Sequence, residues 1–215
     1  MNLLYALKNS TTQFDGPYTH WVVEQPVTSE VLTEVVIAPM NKSPRAYDGT
    51  RAADGDGLDA KLRLFITDEN VDEFPALGKL IDELLAPDTV MQFERMLQRD
   101  LSDAYLQVEA IADVDGFWLK PHQDIKENLM SMLVYVNVWG ESEELGTDIY
   151  DDDLNVVKTI PYRNNLGYFF APGDNTWHGL EKKKITTVRR SIQIHYVTVE
   201  TCWKVPDTRA QRAAA

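Results

Sequence analysis

The sequence predicts an α+β fold: a double-sheet jelly roll (double-stranded β-helix) of about eight strands, with N-terminal helices packed on the outer face of one sheet. Three observations predict it. Amphipathic stripes at helical spacing are confined to the first hundred residues. From residue 104 onward the pattern changes to eight short strand-like segments separated by Asp, Asn and Gly. No regular alternation of strand and helix occurs, which argues against a doubly wound parallel sheet.

Taken in order, residues 18–25 read as a short strand, and residues 28–37 as a helix with Thr28 as its cap. Residues 41–57 contain three glycines, several turn formers and almost no apolar periodicity, so they read as a long loop. Such a loop is either a lid or disordered, and as a lid its Arg45 and Arg51 can reach an anionic substrate, which makes Arg51 a substrate-binding candidate. Residues 62–66 alternate as a strand does. Residues 71–85 place Phe74, Leu77, Leu80, Ile81, Leu84 and Leu85 on one stripe, the pattern of a helix. Pro87-Asp-Thr89 ends it and starts a second amphipathic helix over 90–97, whose Met and Phe residues suit a core. The strands follow at 104–113, 116–122, 129–138, 146–150, 154–160, 165–171, 176–180 and 187–199. The expected organisation is one domain over 1–215: a helical N-terminal support to residue 100, the jelly-roll core over 101–200, and a frayed tail at 205–215.

Composition narrows the function classes. A net charge of −13 works against nucleic acid as a partner, and the run Lys182-Lys-Lys184 reads as a solvated loop between strands. No run of eighteen apolar residues exists, so no membrane role is expected. The single cysteine, Cys202, cannot form an internal disulfide, which fits a reducing, cytoplasmic setting. The acidic run Asp148-Ile-Tyr-Asp-Asp-Asp153 lacks the glycine and spacing of a calcium loop and reads as a hairpin turn.

The chemistry-bearing stretch is Gly116-Phe-Trp-Leu-Lys-Pro-His-Gln-Asp124, which holds the sole His-x-Asp of the chain. On an extended backbone residues i and i+2 project to one side, so His122 and Asp124 can present an imidazole and a carboxylate to one metal ion. A third ligand candidate, His178, follows the Pro172-Gly turn. Two histidines and one carboxylate on one face of an iron leave the opposite positions open. Further on, Val188-Arg-Arg-Ser-Ile-Gln-Ile-His-Tyr-Val197 puts Arg189 and Ser191 on one strand face and Arg190, Ile192, Ile194 and Tyr196 on the other. Because the isoleucines must meet the helix-covered outside, parity turns Arg190 outward and leaves Arg189 and Ser191 inside, where a guanidinium fork and a hydroxyl can hold a carboxylate. Gln193 and His195 share that inner parity, and His195 reads as a hydrogen-bonded barrel histidine or a substrate group. His20 lies far from these residues and reads as a surface or core histidine. Trp118 and Lys120 share parity with His122, which places both on the substrate side, although Lys120 can equally curl out at the rim.

His122-x-Asp124, His178 and Arg189-x-Ser191, in that order, resemble the iron(II)- and 2-oxoglutarate-dependent dioxygenases; the approach to His122 and the ending Leu133-Val-Tyr-Val-Asn137 are most similar to their prolyl hydroxylase-like branch. The resemblance covers residues 102 to 198. It implies Fe(II) held by His122, Asp124 and His178 as the catalytic centre, with 2-oxoglutarate and O2 as co-substrates. It implies that the far carboxylate of 2-oxoglutarate meets Arg189 and Ser191, with Tyr135 and Asn137 lining that pocket; core packing is the competing reading of Tyr135. The implied reaction hydroxylates an unactivated carbon of a small molecule, or of an amino-acid or prolyl residue of a peptide, and releases succinate and CO2. Asp124 favours hydroxylation over halogenation, since related halogenases have a small residue there. Two other classes fit less of the pattern. A cupin-like metalloenzyme has no use for Arg189-x-Ser191, and a non-catalytic jelly-roll binding module has no use for the triad.

Overall fold

The computed structural model describes residues 2–42 and 61–214. Of the expected loop 41–57 only Asn41 and Lys42 lie within them; Arg45 and Arg51 lie outside the described residues.

The N-terminal part combines helices with strands. Helix α1 (Leu3–Asn9) is capped by Asn2, whose Oδ1 accepts from Tyr5 N at 2.9 Å, and it buries Leu3, Ala6 and Leu7. Strands β1 (Thr11–Phe14) and β2 (His20–Glu24) pair antiparallel. Helix α2 (Ser29–Ile37) begins after Thr28, whose backbone is extended as at an N-cap, although its side chain makes no capping bond. Strands β3 (Asn41–Lys42) and β4 (Lys61–Ile66) pair next. The helix expected over 71–85 is divided into a 3₁₀ turn, Val71–Glu73, and α3 (Pro75–Leu85). The cause is Pro75, which disfavours helical backbone at Phe74 and is itself well suited to the first helical position.

Phe74 offers no capping side chain, so α3 borrows one. Glu34 of α2 accepts from Ala76 N and Leu77 N at 2.8 Å each, satisfying two orphan donors and placing negative charge at the positive end of the helix dipole. Glu34→Ala is expected to cost about 1–2 kcal/mol, read as a lower urea midpoint at unchanged slope. An unaltered midpoint would show that water replaces this cap without loss.

Helix α4 (Pro87–Leu97) follows, then the eight predicted strands: β5 (Tyr105–Asp113), β6 (Leu119–His122), β7 (Asn128–Val136), β8 (Thr147–Tyr150), β9 (Val156–Ile160), β10 (Leu166–Phe170), β11 (His178–Leu180) and β12 (Arg189–Val197). Short β13 (Trp203–Lys204) pairs β5, and α5 spans Arg209–Ala214. The tail expected to fray is therefore helical. Arg212 anchors it, with Nη2 donating to Asp100 Oδ1 at 2.8 Å and Nη1 lying 3.4 Å from Glu94 Oε1.

Two antiparallel sheets result. The larger runs β1-β2-β10-β7-β12-β5-β4-β3, and the smaller β6-β11-β8-β9. The jelly-roll strands divide evenly between the sheets, and the N-terminal strands, of which the sequence predicts the segments at 18–25 and 62–66, widen the larger one on both sides. Along β12, Ile192, Ile194 and Tyr196 pack with Leu77, Leu84 and Phe93 of the helices, each fully buried side chain contributing about 1.5–3 kcal/mol. The other core lies between the sheets and is rich in aromatics: Tyr135, Tyr162, Tyr168 and Phe170 pack with Ile149 and Leu180. No helix among the described residues is long and apolar enough to cross a membrane.

Candidate metal centre and carboxylate pocket

His122 ends β6 and His178 begins β11, and the two are direct cross-strand partners with ring centroids 4.3 Å apart. Gly179 permits this approach: a Cβ there would stand 2.5 Å from the Leu119 carbonyl oxygen. Just past β6, Asp124 turns its Oδ1 to both rings, 4.0 Å from His122 Nε2 and 3.7 Å from His178 Nε2. Ligand atoms of the three residues lie within 4.8 Å of one another.

Each ring is oriented from behind. His122 Nδ1 meets the Lys120 carbonyl at 3.1 Å and His178 Nδ1 meets the Thr176 carbonyl at 2.9 Å. A carbonyl can only accept, so both Nδ1 atoms carry a proton and both Nε2 atoms are turned to Asp124. Burial, reinforced by the neighbouring His178, lowers the His122 pKa to about 3, so the imidazole is neutral. Burial alone would raise the Asp124 pKa, but His178, His195 and the Ser131 hydrogen bond together hold it down to about 2. Neutral imidazole and ionised carboxylate are the forms that bind a metal. Two imidazole nitrogens and one carboxylate oxygen on one side of a pocket fit iron(II) with open positions.

Ser131 of β7 fixes the second carboxylate oxygen, donating to Asp124 Oδ2, while His195 Nδ1 of β12 lies 3.0 Å from the same hydroxyl. With Oδ2 tied back, Oδ1 is the oxygen that could take a metal ion. Ser131→Ala is expected to weaken iron(II) binding about 10- to 100-fold with the fold retained, measured by competition with a chelator. Unaltered affinity would reduce Ser131 to a packing residue.

Beyond the triad lies a buried cation. Arg189 is 5 % exposed. Its Nη1 donates to Asp113 Oδ2 at 2.6 Å, Nη2 to Gly146 O at 3.2 Å, and Nε to Leu145 O. Three of five guanidinium donors are thus engaged, leaving one N–H on each terminal nitrogen. Two residues away on the same face, Ser191 Oγ is buried without a hydrogen-bond partner among the described residues. A buried hydroxyl with no partner is costly, and beside spare guanidinium donors its natural complement is a carboxylate. Tyr135 stands next to them, its ring 5.7 Å from the guanidinium carbon and its hydroxyl 2.6 Å from Thr147 Oγ1. Arg190 points the other way and donates to the Val35 carbonyl of α2.

Three sequence expectations require correction. Asn137 does not line this pocket; its amide nitrogen donates to Glu141 O at 2.9 Å and Tyr162 O at 2.7 Å, and its oxygen accepts from Glu141 N, closing the loop after β7. Lys120 is exposed, and its carbonyl rather than its ammonium serves His122. The register shift between β6 and β11 brings Leu119 into the interior cluster, so the parity that placed Trp118 and Lys120 beside His122 fails; Trp118 is only partly buried. His20 is a core histidine, its Nδ1 on the Tyr18 carbonyl at 2.9 Å. Sequence reasoning missed Ser131, which its inward parity with Leu133 and Tyr135 on β7 could have flagged, and Tyr18, whose hydroxyl bonds that of Tyr168 in the aromatic wall beside His178.

No protein-family model matches the chain, and no curated protein matches its sequence. Its fold is shared with solved structures. A prolyl hydroxylase from Trichoplax adhaerens, in complex with a hypoxia inducible factor oxygen degradation domain peptide fragment, superposes with TM-score 0.58 at 14 % identity over 99 % of this chain and 91 % of that one. A Pseudomonas putida prolyl-4-hydroxylase gives 0.54 at 11 % identity over 92 % of this chain and all of its own. The viral collagen prolyl hydroxylase of Paramecium Bursaria Chlorella virus-1, in its 2OG complex, gives 0.53 at 13 % over 86 % and 98 %. At these identities the likeness is one of fold.

Proposed function

We propose that this protein is an iron(II)- and 2-oxoglutarate-dependent oxygenase that hydroxylates an unactivated carbon of a small molecule or of an amino-acid or prolyl residue, with release of succinate and CO2. One observation carries the reading: His122 Nε2, Asp124 Oδ1 and His178 Nε2 converge in the same interior that holds the Arg189 guanidinium and the unpartnered Ser191 hydroxyl. A metal site alone would not need the second pair. The shared fold supports the same class, since one neighbour is described with 2OG bound and another with a peptide.

When bound, iron(II) and the co-substrate supply the oxygen-activating redox chemistry. The chain's own residues bind, orient and exclude water. His122 and His178 offer nitrogens whose direction the backbone carbonyls of Lys120 and Thr176 set, and Asp124 offers one oxygen because Ser131 holds the other. Arg189 and Ser191 would hold the far carboxylate of 2-oxoglutarate with the spare guanidinium donors and the unpartnered hydroxyl. Phe170, which packs in one apolar cluster with Tyr168 and Leu180, lies against the His178 ring, and such low-dielectric surroundings strengthen charge contacts.

The test is iron-dependent formation of succinate from 2-oxoglutarate in air without any prime substrate. Iron binding with no 2-oxoglutarate turnover or binding would point to a cupin-like enzyme, and absence of both to a binding module.

A further inference from the structure

Strand β4 flanks β5 on the side away from β12, so one cross-strand row places Lys61, Asp113 and Arg189 side by side, and the next but one on that face places Phe65, Glu109 and Gln193. Paired residues in such rows share a face, here the inner one. Because the smaller sheet ends at β6, the β4 part of this face lies beyond the edge strand that carries His122.

On this wall the two carboxylates already have cations. Asp113 Oδ2 holds Arg189, and Glu109 Oε2 lies 3.1 Å from Arg63 Nε. Among the described residues Lys61 is the cation without a hydrogen-bonded carboxylate of its own. Its ammonium makes no hydrogen bond or ion pair among the described residues and sits 5.6 Å from the Phe117 ring centroid. Burial, with help from Arg63, lowers its pKa to about 8, which still leaves it charged at neutrality, and that charge is felt by His122. Across from it in the same row, Asp113 Oδ1 is buried without a hydrogen-bond partner among the described residues. Among the described residues the wall thus carries three cations, Lys61, Arg63 and Arg189, against two carboxylates, Asp113 and Glu109, and this surplus of one positive charge suits a ligand with an anionic group.

We infer that Lys61 binds a carboxylate of the prime substrate, at a position separate from the Arg189 pocket and on the β4 side of the edge strand that carries His122. The inference rests on the oxygenase reading above and names the substrate class: an amino acid or peptide bearing a free carboxylate. Position argues against a second anchor for 2-oxoglutarate. Arg189 is deep and borders Ser191, whereas Lys61 is partly buried on an outer strand with Asp113 standing between the two cations.

The experiment uses the full chain with iron(II), under anaerobic conditions, and measures binding by calorimetry. The probes are the L-amino acids as free acids and as primary amides, end-blocked tripeptides containing Asp or Glu with their Asn or Gln counterparts, and inorganic phosphate. The expected result is a preference of about tenfold or more for at least one carboxylate over its matched amide, as a charge-assisted hydrogen bond provides. That preference should vanish in Lys61→Gln and largely survive in Lys61→Arg, with 2-oxoglutarate affinity unchanged in both. Free acids against amides report an α-carboxylate, and the tripeptides a side-chain one. No carboxylate preference anywhere in the panel overturns the assignment, as does a preference for phosphate alone or one that persists in Lys61→Gln. A tenfold loss of 2-oxoglutarate affinity in Lys61→Gln overturns it too, by making Lys61 a co-substrate residue. If the wild-type protein fails to bind 2-oxoglutarate while a Lys61-dependent carboxylate preference remains, the oxygenase reading falls and the Lys61 site stands.

Discussion

Removing any one of His122, Asp124 or His178 as Ala is expected to abolish tight iron(II) binding, and with it any iron-dependent consumption of 2-oxoglutarate. Each supplies one of three converging ligand atoms, so the loss should exceed the about 10- to 100-fold typical of residues that only support a ligand. The three variants should differ in stability. His122 is partly exposed, so its truncation opens little interior, whereas His178 is buried against Phe170 with ring centroids 5.0 Å apart and leaves a cavity. Asp124→Ala deprives the Ser131 hydroxyl of its acceptor, a cost that Asp124→Asn avoids while still removing the negative charge. Asn and Ala at 124 should therefore be equally poor in iron binding and unequal in melting temperature. Metal analysis after desalting reads the first property and thermal denaturation the second. Unchanged iron stoichiometry in all three Ala variants would remove the metal centre from the proposal.

What the sequence made legible divides along physical lines. The eight jelly-roll strands and the side on which Arg189 lies could be read because β12 alternates strictly, with Ile192 and Ile194 forced against the helices. That His122, Asp124 and His178 come together could be read because His122 and Asp124 are two residues apart at the end of a strand and His178 follows a Pro-Gly turn. The short elements left no such trace. Strand β1 is almost wholly exposed, β3 and β13 have two residues each, and α1 makes two turns, too few for any periodicity to register. Parity misled at Lys120 because a register shift lies between Leu119 and His122, which Pro121 within that short strand could have announced. Asn137 could be read as a pocket residue because its partners, the Glu141 and Tyr162 backbone, are supplied by a loop whose path tertiary packing decides.

Arg189→Lys is expected to raise the 2-oxoglutarate constant about 10- to 100-fold, while Arg190→Lys leaves it nearly unchanged. A lysine at 189 keeps the charge and loses the fork that holds Asp113 while presenting spare N–H groups toward Ser191. Arg190 lies on the opposite face, bonded to the Val35 carbonyl and 5.8 Å from the Trp139 ring, where no co-substrate carboxylate can reach it. The buried pair gives Arg189 a structural role as well, and the two roles can be separated. Arg189→Met strands the Asp113 carboxylate, which is 1 % exposed and already has one unpartnered oxygen, at a cost of about 3–5 kcal/mol. The double variant Arg189→Met with Asp113→Asn removes the stranded charge and should recover much of the stability while remaining unable to bind 2-oxoglutarate. Recovery of stability and co-substrate binding together would mean that Arg189 only neutralises Asp113. If the constant instead rises in Arg190→Lys and stays fixed in Arg189→Lys, the carboxylate pocket lies on the other face of β12, and the assignment of Ser191 falls with that of Arg189.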